Sequence, residues 1–517
     1  MTSVAQDYHE KTKYAPQTLG QGHEIDWAHP PHQFKYYAGA PAVNLLPYHP
    51  LEAQRQAGKT TDALDKLADK SSPLSLPNLS RLLYFTNGIT AIARGDDGEH
   101  FFRAAPSAGA LYPTELYVAV RDHPDLAEGV YNYNVRAHSL VEVVPRGFGP
   151  SGEELFRKLS AACLGHKALR EAKLALIATA IYWRSAWRYG PRAFRRCMLD
   201  TGHVLGNFDL LAPRFDLCTF ALGGCVDADV AELLDVEPEK EGIVGVFPLH
   251  EKGAFEKLRG GVSALASSPL TLEGRAEGDP LEKISAATCI ERADLPAIRG
   301  AAGVDAGADF KVGEKYEFAG GVKLMPSGVD LSADLEITIL RRRSTRQLTG
   351  EAVSLRELSD LLAFSYRPDL IATEDALPRY FDSGLLETFL VVQNVTGLAP
   401  GVYYFAPRHM ELRPIKQGVF REETFHIALG QELARDAACV MIHTADLVAA
   451  VGRYGNRAYR YLHLDAGHIG QRVNLGAIRS RLGVPGIGGF FDNEVNQLLG
   501  VPERELCVYI TCIGKPG

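Results

Sequence analysis

The chain repeats itself. Residues 188–207 read RYGPRAFRRCMLDTGHVLGN and residues 453–472 read RYGNRAYRYLHLDAGHIGQR, one pattern met twice, 265 residues apart. GVYNYNVRAHSLVEV (129–143) returns as GVYYFAPRHMELRPI (401–415), and LGGCVDADVAELLDV (222–236) returns as IGGFFDNEVNQLLGV (487–501). A weaker pair sets SLPNLSRLLYF (75–85) against SLRELSDLLAF (354–364). The blocks keep one order in both halves, so the chain reads as a tandem duplication, and a fold that suits one half must suit the other. At 517 residues it is also about twice the size at which a single core stops growing. Between the halves the sequence turns rich in Gly, Ala and Ser (SALASSPLTLEG, RGAAGVDAGAD), as a connector does. The expected division is an N-terminal domain 1–265, a linker 266–330 and a C-terminal domain 331–517.

Within each half, β-rich segments such as ELYVAV (115–120), CVMIHTADLV (439–448) and CVYITCIG (507–514) alternate with helical patterns. The stretch from Arg457 has apolar residues at helical spacing and meets Gly483 and Pro485, a helix stop. Each half is thus expected to be an α+β unit, and two related units in one chain pack most naturally about a pseudo-twofold axis, as a dimer does.

Composition narrows the function. With 46% hydrophobic and 23% charged residues the chain is an ordinary globular protein. Its longest apolar runs fall short of the roughly 18 residues a spanning helix needs, and the first residues lack the apolar core of a secretory signal, so no membrane is expected and the cytoplasm is the expected location. A net charge of -8 argues against a nucleic-acid partner. The eight cysteines include no C-x-x-C pair, so neither a zinc site nor a disulfide framework is indicated. Asp465/His468 and Asp200/His203 each share a helix face, but two ligands do not make a metal site, and their recurrence in both halves favours packing. No clean phosphate loop or strand-linked G-x-G-x-x-G exists, which argues against a separate NAD(P)-binding domain.

Three short stretches carry chemistry. RRSTR (342–346) flanks the hydroxyl of Ser344 with Arg342, Arg343 and Arg346, fork-shaped donors of the kind that grip a phosphate. PSAGALYP (106–113) is a turn in which Pro106 fixes φ, Ser107 can donate, and Ala108 and Gly109 let backbone approach a flat ligand. GIGGFFD (486–492) offers the amides of Ile487, Gly488 and Gly489 to a developing negative charge.

These stretches, with YHEKTKY (8–14) and the duplicated central block, resemble the nitroreductase superfamily, specifically its SagB/ThcOx-type dehydrogenases. The resemblance implies an FMN-binding α+β fold in which the flavin lies at a dimer interface, with R-x-S-x-R and the glycine turn from one subunit and the P-S segment from the other. Here the N-terminal half keeps PSAGALYP but reads ALDKL at 63–67, where its own R-x-S-x-R would fall. The C-terminal half keeps RRSTR but reads RYFDSGLLETF (379–389) in place of the P-S segment. The resemblance therefore implies one composite FMN site per chain, with Lys515 a further candidate for the phosphate. It also implies a peptide or small-molecule substrate, compatible with a delivering partner protein, and a monomer or at most a weak homodimer. NAD(P)H would act only as a transient reductant, in the alternative role of nitro or quinone reductase; a non-catalytic flavin-binding scaffold is the third reading. The family's Lys-Tyr pair matches Arg453-Tyr454, with Arg188-Tyr189 as its copy. Arginine is a poor base, so the expected catalytic role falls mainly on Tyr454.

Overall fold

The computed structural model describes the whole chain except residues 1, 18, 20–22, 52–71, 96–97, 146, 255–257, 259–264, 270–277, 297, 299–314, 318–319, 368–369 and 371–378. The 63–67 stretch and much of the expected linker lie outside the described residues.

Two seven-stranded sheets carry the fold. The first is built from β1 (Ala42–Asn44), β2 (Thr114–Val120), β3 (Gly129–Asn134), β4 (Ser139–Glu142), β5 (Leu174–Ile181), β6 (Leu217–Thr219) and β7 (Glu241–Glu251), in the order β1-β4-β3-β2-β5-β7-β6. The second uses β8 (Val322–Lys323), β9 (Glu387–Val392), β10 (Gly401–Ala406), β11 (Glu411–Gln417), β12 (Cys439–Asp446), β13 (Gly486–Ile487) and β14 (Glu505–Ile513), in the order β8-β11-β10-β9-β12-β14-β13. The orders are the same strand for strand, and neighbours run antiparallel. Even a bulge recurs, between Ala178 and Thr179 in β5 and between His443 and Thr444 in β12. The inner strands are buried on both faces, which explains why LALIATAI and CVMIHTAD read as near-continuous apolar runs rather than alternating ones.

What joins the halves is a pair of long helices, α3 (Ala193–Leu211) and α7 (Ala458–Arg479), each preceded by a short helix, α2 (Tyr182–Tyr189) and α6 (Leu447–Tyr454). α3 is buried along its whole length, as a helix at the centre of a shared core must be. α3 and α7 touch at glycine. A Cβ on Gly202 would fall 2.2 Å from the Leu464 carbonyl oxygen, and a Cβ on Gly467 would fall 2.2 Å from that of Leu199, so each helix makes the same close approach to the other. α7 stops at Arg479, four residues before the expected Gly483, because Arg481 takes a left-handed turn at φ 58°.

The ion pairs obey the same exchange. Arg192 and Arg195 of the first half reach Asp492, the first residue of α8 (Asp492–Leu499), at 3.0 and 2.8 Å. Arg457 and Arg460 of the second half reach Asp227, the first residue of α4 (Asp227–Leu234), at 2.6 and 2.8 Å. Burial alone would push the Asp492 carboxyl up, but the guanidiniums of Arg192 and Arg195 outweigh it and hold it well below the usual range; Arg457 and Arg460 do the same for Asp227. Both aspartates also sit at helix N-termini, where negative charge is favoured. The N-terminal helix α1 (Val4–Lys11) seals this interface, with Ala5 N–H donating to Asn456 and the Tyr8 ring edge-on to Tyr459 at 5.4 Å.

Candidate functional site

A cavity of about 830 Å³ opens between the halves. Its size falls in the range of about 300–1,000 Å³ usual for small-molecule sites. Pro106, Ser107, Ala108 and Gly109 form one wall; Arg342, Arg343, Ser344 and Arg346, which follow α5 (Leu335–Arg341), form another; Ile487, Gly488 and Gly489 form a third. Stretches more than 200 residues apart in the chain thus face one space.

Each wall has a local cause. The turn after Pro106 is left-handed at Gly109, Ala110 and Tyr112, with φ of 63°, 54° and 49°. Ser107 locks it: its Oγ donates to Asp200 at 2.5 Å and accepts from the Tyr112 N–H at 2.9 Å, while the Ala108 N–H donates to Asp200 at 3.1 Å. Burial pushes the Asp200 carboxyl up to about 7, against the pull of these donors. Arg342 is buried and already committed. Its Nε donates to the Ala104 carbonyl at 2.8 Å and its Nη2 to that of Arg103 at 2.9 Å, tying the second half to the first just ahead of Pro106, while its Nη1 has no partner among the described residues. Ser344 and Arg346 are exposed, as is Arg343, which reaches Thr90 of the first half at 3.5 Å. Helices α3 and α7 supply the floor, with Arg196, Asp200, His203, Gly470 and Asn474. His203 spans Gln471 and Tyr509 at 3.0 Å each, and burial lowers its pKa to about 4, so it stands neutral.

Three expected residues go elsewhere. Lys515 is outside the cavity, paired with Glu357 at 2.7 Å. Arg453 and Tyr454 also stand outside it, both held by Asp382: the Tyr454 hydroxyl donates to that carboxylate at 2.8 Å and Arg453 lies 3.4 Å away. Their counterparts Arg188 and Tyr189 line the cavity instead. A Cβ on Gly109 would lie 3.0 Å from the Tyr189 hydroxyl, so glycine leaves room for that tyrosine where the other half puts a carboxylate. Arg196 and Tyr509 carried no sequence signal by themselves, Tyr14 entered only within YHEKTKY, and His203 was read as a packing residue. Arg196 had one in the repeat, where it aligns with Tyr461, a cation against an aromatic in otherwise similar blocks.

The equivalent space on the other side is filled. Leu205, Asp209, Thr219, Ala221, Leu464 and His468, each 265 residues from a residue lining the cavity, enclose about 10 Å³. Phe381 stacks on Tyr461 with ring centroids 5.5 Å apart, and both crowd Gly223, the counterpart of Gly488. Residues 266–268, expected as the start of a linker, pack here: the Tyr461 hydroxyl donates to the Ala266 carbonyl at 3.2 Å, and Ser268 bridges the Tyr454 carbonyl and the Arg457 N–H. Phe381 and Asp382 N–H groups donate to Asp465 at 2.7 Å each, as Ala108 does to Asp200.

The nitroreductase family profile matches residues 69–249 and 339–515, more than half of the chain. A nitroreductase-like crystal structure from Anabaena variabilis is 40% identical, covers 100% of both chains and superposes with a TM-score of 0.85. A nitroreductase-like protein of Methanocaldococcus jannaschii is 36% identical over 32% of this chain and 77% of its own. The trifolitoxin-processing protein TfxB of Rhizobium leguminosarum bv. trifolii is 31% identical over 34% of this chain and 47% of its own. The chain belongs to the nitroreductase family, as a tandem duplication of the family's domain.

Proposed function

We infer that the chain is an FMN-dependent oxidoreductase with one flavin per chain, held in the composite cavity. One observation carries this reading: the donor-rich RRSTR wall, the glycine turn and the PSAG turn, split between two halves, converge on a single cavity. The donor set fits the cofactor. Ser344 and Arg346 stand exposed to meet a phosphate, Arg343 would have to leave the Thr90 and Leu340 oxygens to join them, Arg342 keeps one Nη1 unpartnered among the described residues, and Gly488 and Gly489 present backbone where a flat ring needs close approach. Lys515 would have to leave Glu357 to join them.

When bound, FMN supplies the redox chemistry. This chain's own residues position and protonate. Ser107, fixed by Asp200, offers a polar contact from the first half. The Tyr189 hydroxyl, which burial holds in its neutral form, is the proton donor or hydrogen-bond donor at the substrate face, with Arg188 beside it as a fixed positive charge. In this reading Arg188-Tyr189 take the role expected of Arg453-Tyr454, which the Asp382 clamp immobilises.

The likeness to a trifolitoxin-processing protein favours a peptide-like or natural-product intermediate as substrate, with a partner protein to deliver it, although the chain spans less than half of that relative. The likeness to nitroreductase-like proteins keeps a second reading, an NAD(P)H-dependent reductase of nitro or quinone compounds. Because the duplication supplies its own interface, we expect a monomer.

Flavin released by heat from the purified protein and quantified per chain tests the core of this proposal. A ratio near one is expected. A ratio near two would sink the composite site, and a protein that comes without flavin and refuses added FMN would be the scaffold. Bleaching by NADPH under nitrogen would select the reductase over the dehydrogenase.

A further inference from the structure

Arg196 lies on α3 between the ring of Tyr189, 5.1 Å from its guanidinium, and the backbone of Gly488, where a Cβ would fall 1.3 Å from its Nη1. It is only 6% exposed, its Nε is buried without an acceptor, and it makes no hydrogen bond or ion pair among the described residues. Asp200, one turn along the helix, feels the charge of Arg196 but spends its oxygens on Ser107 and Ala108 rather than on a hydrogen bond to it. The other buried arginines of the same two helices and their approaches are matched: Arg192 and Arg195 share Asp492. A buried cation without a hydrogen-bonded counter-charge is costly, and a site that keeps one is built to receive an anion. The filled counterpart shows the alternative, since Tyr461 at the equivalent position closes the space on its own by stacking on Phe381.

We propose that Arg196 receives an anionic oxygen, of a carboxylate or of a carbonyl that gains charge on reduction, presented by a molecule bound in the cavity. Two sources share this chemistry, the edge of the flavin ring and a carboxylate of the substrate. Only the first rests on the flavin reading above.

Arg196→Gln removes the charge, and Arg196→Tyr copies a side chain that the equivalent position already accommodates, so at least one variant should fold. Benzoate, a simple carboxylate probe, is titrated by calorimetry into flavin-free full-length protein, and the midpoint potential of bound FMN is measured separately. Loss of the charge-assisted contact should weaken benzoate roughly 10- to 100-fold if the substrate is the source, with the potential unchanged. If the ring edge is the source, the potential of the variant becomes more negative and benzoate binding stays as it was. Unchanged benzoate binding together with an unchanged potential, in a folded variant, overturns the proposal. Arg196-dependent benzoate binding in a protein that takes no FMN would uphold it while the flavin reading fell.

Discussion

The open cavity and its filled counterpart start from the same scaffold and differ at a few positions. Arg196 stands opposite Tyr461, Gly470 opposite Leu205, and the small Ala108-Gly109 turn opposite Phe381-Asp382. The first member of each pair leaves space or a free charge; the second brings bulk or a clamp. Asp200 and Asp465 do the same work in both, catching backbone amides of the facing turn, and so do the two Arg-Arg-Asp clusters. Outside the Arg-Tyr pair, recurrence in both regions therefore goes with residues that hold the scaffold, and divergence with residues that open or close the cavity. A cavity of about 830 Å³ against one of about 10 Å³ is the outcome.

The comparison can be broken most severely at the shared clusters. Asp492→Ala and Asp227→Ala each leave two buried arginines unpaired and should each cost about 3–5 kcal/mol, read from chemical denaturation. A large loss for one and none for the other would show that the halves are not energetically equivalent.

The next largest effect should be confined to the open side. Arg346→Ala and Ser107→Ala, in different halves, should each weaken FMN binding, by roughly 10- to 100-fold for the charged contact. Asp382→Ala on the filled side should leave FMN affinity within about twofold. Equal losses from all three would end the division into a working side and a filled one.

A smaller effect should appear on both sides. Burial pushes Asp200 up to about 7 and Asp465 up to about 8, from an ordinary 3.8. The folded state then holds each proton more tightly than the unfolded state, so the stabilisation is complete below about pH 4 and is lost as the pH rises through about 7 and 8. Asp200→Asn and Asp465→Asn should each flatten the dependence of Tm on pH between about 4 and 8. Only Asp200→Asn should also change flavin uptake, because its carboxyl holds the turn that carries Ser107.

Much of the fold was legible because duplication doubles every signal. Strand segments such as ELYVAV and CVYITCIG occur where expected, and the stretches singled out for their donor and glycine content line one cavity. Arg342 was read as a phosphate grip, and what the sequence did not announce is that it also ties the halves together through the carbonyls of Arg103 and Ala104. That contact joins residues more than 230 apart, and no local pattern announces it. The start of the expected linker, at Ala266 and Ser268, proved to be packing against α7 and the turn before it. Its small residues, which look like a flexible connector in sequence, are what fits beside Gly224 and Gly455.

By itself, the sequence determined that two α+β units of one kind stand in tandem and that the donor-rich and glycine-bearing turns are divided between them, because repeats and short turns are properties of neighbouring residues. Which Arg-Tyr pair faces the cavity was decided only by the tertiary structure. Both pairs read alike along the chain. They differ in what stands across from them, Gly109 before Tyr189 and Asp382 before Tyr454, and that depends on how strands and turns distant in sequence are brought together around two helices that cross at glycine.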